Sequence, residues 1–146
     1  MTGPPVPAGP GGPLIHPWRG SAEALVDATA SQAPRWWLRG THMRTRRGLM
    51  DEWAAAAQFP PHFGGTWDAL RDALADLPEG GTFLVLEADQ LLQDAPPAEA
   101  ETLLAVLRAV AEDLAHRPFR LILQAEPDRF ETLVAGLQAL ETDGRS

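Results

Sequence analysis

Two short apolar runs, Thr82-Phe83-Leu84-Val85-Leu86 and Phe119-Arg120-Leu121-Ile122-Leu123, stand between stretches of helical periodicity. A run without polar alternation reads as a strand buried on both faces, the habit of parallel sheets covered by helices. Trp36-Trp37-Leu38, placed after Pro34 and closed by Gly40, reads as a third strand. Its two indoles must point to opposite faces, because successive strand residues do.

The helical stretches have recognisable starts and stops. Ser21 can cap a helix over SAEALVDATASQ, with Leu25 and Val26 among its apolar positions. A second helix is expected from about Thr45 to Gln58, carrying Leu49, Met50 and Trp53 and stopped by Pro60-Pro61. Gly48 weakens it by about 1 kcal/mol relative to Ala. A third is expected over Thr66–Leu77, capped by Thr66, with Trp67, Leu70, Leu74 and Leu77 as one buried stripe. A long helix follows Pro96-Pro97 to about His116, and a last one follows Pro127 with Phe130, Leu133, Val134, Leu137 and Leu140. Strands alternating with helices predict an α/β fold, a small three-stranded parallel sheet packed by helices. Residues 1–20 read as a disordered Pro/Gly-rich tail and 21–146 as a single domain, with a core over 35–125 and an added C-terminal helix at about 127–141.

Charge narrows the partner. The net charge is -8, but residues 51–113 hold thirteen acids and two Arg, whereas residues 1–50 hold six Arg and two acids. Nucleic acid and anionic membranes are attracted by clustered cations, so neither is expected as a partner, and a basic protein is. With no cysteine there is no disulfide and no thiolate chemistry. Residues 1–15 lack an apolar stretch long enough for a secretory signal, so a cytoplasmic location is expected. No G-x-S-x-G, phosphate loop or H-E-x-x-H occurs, so no cofactor and no catalytic residues are expected.

The chemistry concentrates in residues 59–77, FPPHFGGTWDALRDALADL. Asp68, Asp72 and Asp76 recur every four residues, so they sit side by side on one helix. Asp68 gains from the helix dipole, but neighbouring aspartates repel and Asp is a mediocre helix former. Acids on a helix are most often only a solvated face. Here they adjoin Gly64-Gly65, where another molecule can approach the backbone, and a partner can supply the missing positive charge.

This stretch resembles the barstar family, inhibitors of barnase-type ribonucleases. The resemblance is carried by Pro60, His62, Phe63, Gly64, Trp67, Asp68, Ala69, Leu70, Asp72 and Leu74, and more loosely by WWLRG, FLVLE and FRLIL, over roughly 35–125. It implies that the helix and its preceding loop enter the nuclease active site. Asp72 then stands where an RNA phosphate would sit, Asp68 pairs with a neighbouring basic residue, His62 packs on the catalytic histidine, and Gly64 permits close contact. The implied partner-binding set is His62, Phe63, Gly64, Gly65, Thr66, Trp67, Asp68, Arg71, Asp72 and Asp76. There are departures. The family's loop Tyr is His62, its Trp between the aspartates is Arg71, its loop Asn is Thr66, and an acid on its long helix aligns with Ala109.

Two other readings stay open. One is an immunity or adaptor module for a different basic toxin or partner protein, suggested by Arg71 and Ala109. The other is a metal-dependent hydrolase using His62, Asp68 and Asp72, a ligand chemistry that suits divalent ions but matches no spacing motif. His16, His42 and His116 are scattered and read as structural or surface residues. Arg44, Arg46 and Arg47 read as a solvated helix start. Glu87, at the end of a strand, reads as a candidate buried polar partner.

Overall fold

A computed structural model describes residues 6, 13–78, 80–114 and 118–143. The four strands are β1 (Ile15–Arg19), β2 (Arg35–Arg39), β3 (Thr82–Leu86) and β4 (Arg120–Ala125). They form one sheet of order β1-β4-β3-β2, with every pair parallel. The helices are α1 (Ala22–Ala28), α2 (Arg46–Ala56), α3 (Trp67–Ala75), α4 (Pro97–Asp113) and α5 (Pro127–Asp143). Short 3-10 turns follow β2 and β3.

The α/β class and the parallel sheet agree with the sequence reading, but the sheet has four strands and not three. The extra strand is β1, inside the segment read as a tail. Its Pro17 and the Pro/Gly stretch before it hide the strand signal. Proline is tolerated there because β1 lies at the edge of the sheet. Most of the tail, residues 1–5 and 7–12, lies outside the described residues.

Strand alternation sorts the core into two layers. Leu38, Phe83, Val85, Leu121 and Leu123 face α2 to α5 and pack with Leu49, Trp53, Leu70, Leu74, Leu107 and Leu133. On the other face Leu84 and Ile122 pack with Trp18 and with Leu25 of α1. Trp36 stacks on Phe83 at 4.5 Å, whereas Trp37 points the other way, about half exposed, under the Arg35 guanidinium at 5.4 Å. The expected caps Ser21 and Thr66 accept from the backbone N–H of Ala24 and Ala69, and Thr45 caps α2 in the same way, accepting from Gly48.

The ends of the strands are tied by one buried amide. Gln124 is fully buried; its side chain donates to the Gly20 carbonyl at 2.7 Å and accepts from the Glu87 N–H at 2.7 Å. The polar partner in this region is therefore Gln124. Glu87 has its side chain exposed and its backbone in the left-handed region at φ 52°. Gly40 packs against the same turn, where an added Cβ would clash with the Glu87 carbonyl oxygen.

Candidate functional site

The loop before α3 is held by aromatic anchors. Phe59 and Phe63 pack on the core with ring centroids 5.0 Å apart, and the Phe63 N–H donates to the Pro60 carbonyl at 2.9 Å. Between them His62 is left exposed. Gly65 adopts φ +69°, a conformation that glycine enters without penalty. Gly64 is exposed, and a Cβ there would make only an ordinary 3.8 Å contact with Ala69. Thr66 then caps the helix, with its side chain accepting from the Ala69 N–H at 3.1 Å.

The helix is fixed from below. Leu70 and Leu74 are buried. Trp67 packs against the core and donates its indole N–H to Glu99 of α4 at 2.9 Å. At 3.6 residues per turn, Asp68 and Asp72 fall nearly opposite Leu70 and Leu74, on the outward crest. Both are exposed, as is Asp76, which caps the C-terminal end of α3. Among the described residues no Arg or His pairs with Asp68, Asp72 or Asp76. Arg71, also exposed, places its guanidinium 3.5 Å from Asp113 of α4.

Of the predicted residues, His62, Gly64, Thr66, Asp68, Arg71, Asp72 and Asp76 are exposed on the loop and α3, Gly65 is half-buried, and Phe63 and Trp67 serve largely as anchors. The sequence reading missed Glu99 and Asp113. The acceptor of the Trp67 indole lies 32 positions away and no local pattern identifies it. Three donors drawn from His, Cys, Asp and Glu are nowhere grouped so as to hold a metal ion among the described residues. His62, Asp68 and Asp72 form no such group.

Several charged side chains elsewhere are paired with one another. Buried Glu52 accepts from the Arg39 backbone N–H at 2.8 Å and from its guanidinium at 2.9 Å, with His42 at 3.9 Å. The Arg39 hydrogen bonds hold the Glu52 carboxyl below its ordinary range despite burial. Arg44 pairs with Asp94 at 2.8 Å and bonds Gln90, so it braces a loop and is not a freely solvated helix start. Its hydrogen bonds lower the Asp94 carboxyl likewise. His116 lies outside the described residues. No described helix is long and apolar enough to cross a membrane.

Fold and site together define a small parallel α/β protein that shows a helix with uncompensated carboxylates to solvent. The sequence profile of the family described as barstar (barnase inhibitor) matches residues 35–126, more than half of the chain. The chain belongs to the barstar family. No curated protein matches it.

Proposed function

We propose that this protein inhibits a basic microbial ribonuclease of the barnase type by seating α3 and the loop at residues 59–66 in the nuclease active site. A ribonuclease concentrates positive charge to grip a phosphodiester. A rigid carboxylate offered to those donors makes charge-assisted hydrogen bonds in a site from which water is excluded. Asp72 takes that place, Asp68 meets a neighbouring cation, and His62 packs beside them. Catalytic groups are not needed, because occlusion alone stops the enzyme. The excess of acids over residues 51–113 speeds encounter with a basic partner.

The observation that carries this reading is the state of Asp68 and Asp72: exposed, one turn apart on a helix pinned by Leu70, Leu74 and Trp67, and without a cation partner among the described residues. Titration of the protein into barnase-type ribonucleases tests it. Wild type is expected to abolish activity stoichiometrically. Asp72→Ala is expected to weaken inhibition by at least about 2 kcal/mol, roughly thirtyfold, as for a hot-spot residue. Equal inhibition by both proteins would refute the mechanism.

Arg71 favours a second reading, an immunity or adaptor module for another basic toxin or partner protein, since a cation between the aspartates alters the rim of the surface. Capture of a partner lacking ribonuclease activity, through a contact that Asp72→Ala removes, would select it.

A further inference from the structure

We propose that Asp113 of α4 is a positioning residue for the docking face, one that draws Arg71 aside so that Asp68 and Asp72 meet a partner with their full negative charge. The proposal rests on the reading of α3 as the docking helix. Arg71 lies three residues after Asp68, a spacing at which the two share a helix face and an ion pair forms readily. The structure shows another choice. The Arg71 guanidinium reaches across the α3–α4 contact to Asp113, 42 positions away, at 3.5 Å. Asp68 and Asp72 keep no cation of their own among the described residues.

Two effects follow from that choice. Asp113 removes an internal competitor, because Arg71 folded onto Asp68 would have to be displaced before a partner's cation could bind. It also neutralises a positive charge beside a surface built to meet positive charge, where like charges oppose each other. Packing of α3 against α4 keeps Asp113 within reach. Arg71 and Asp113 are both about half exposed, so the pair adds little to stability and its removal leaves the fold intact. The device therefore concerns recognition and not folding.

The test is a double-mutant cycle read as affinity for a barnase-type ribonuclease at low ionic strength, with wild type, Asp113→Asn, Arg71→Gln and the double variant. Asp113→Asn is expected to bind about three- to tenfold more weakly, the scale of one unscreened like charge near the interface. Asp113→Glu is expected to bind as wild type does. In the Arg71→Gln background, Asp113→Asn is expected to have almost no effect. An equal loss in both backgrounds would make Asp113 an independent contact and overturn the proposal. So would a silent Asp113→Asn in a protein whose binding Asp72→Ala removes, and that result would leave the docking reading standing. A crystal structure of free Asp113→Asn gives an answer without any partner: Arg71 is expected to turn onto Asp68, and a guanidinium still directed at α4 would overturn the proposal.

Discussion

Trp67 of α3 donates its indole N–H to the carboxylate of Glu99 on α4 at 2.9 Å, joining the helix that carries the acidic crest to the helix packed against it. Trp67→Phe keeps an aromatic ring and deletes this bond. It is expected to cost about 0.5–1.5 kcal/mol in denaturant unfolding, the net worth of a hydrogen bond, and somewhat more if Glu99 stays desolvated. A loss of partner affinity beyond the loss of stability would show that the bond also orients α3.

Gln124 is a buried amide joining the turns after β1 and β3. Gln124→Leu leaves the Gly20 carbonyl and the Glu87 N–H without their partner. The expected destabilisation is about 2–6 kcal/mol, from two backbone groups each costing about 1–3 kcal/mol when left unpaired out of water. Chemical denaturation measures it. A variant as stable as wild type would mean that solvent reaches both groups.

The Glu52 carboxyl is held below its ordinary value by the Arg39 hydrogen bonds, so its contribution to stability is present above the unfolded-state value and is lost as pH falls toward the folded one. Glu52→Gln is expected to be less stable than wild type near neutrality by about 1.5–3 kcal/mol, the range for hydrogen bonds to a charged group. The gap is expected to narrow as the solution is acidified below about pH 4.5. Thermal unfolding of both proteins across this range checks the sign; a gap that widened with acid would contradict the assignment.

The two adjacent glycines of the loop are expected to behave differently. Gly65→Ala forces a side chain into the left-handed region and is expected to destabilise the free protein by about 1–2 kcal/mol. Gly64→Ala meets only Ala69 at 3.8 Å and is expected to leave stability unchanged. Weakened binding by Gly64→Ala at unchanged stability would mark a close approach of the partner.

Much of this architecture is legible in the chain. The β3 run is buried and unbroken, and the caps at Ser21, Thr45 and Thr66 stand where short polar residues precede helical periodicity. The β1 strand is not legible, because Ile15-His16-Pro17-Trp18-Arg19 has no alternation and contains a proline that only an edge position tolerates. The acidic crest is visible from the spacing of Asp68 and Asp72, since helical geometry alone places them side by side. Which way Arg71 turns is not visible. Asp68 and Asp113 are both available acids, and only the packing of α3 on α4 decides between them. Glu87 and Gln124 show the same limit, as nothing local reveals which of two polar residues is buried.

The central claim is that Asp72 occupies the phosphate position of a ribonuclease active site. Calorimetric binding to a barnase-type ribonuclease, with and without a saturating nucleotide ligand of that active site, addresses it directly. Wild type is expected to compete with the nucleotide, and Asp72→Asn, equal in shape but uncharged, to lose most of its affinity while unfolding at the same temperature as wild type. Binding that ignores the nucleotide and survives Asp72→Asn would contradict the claim.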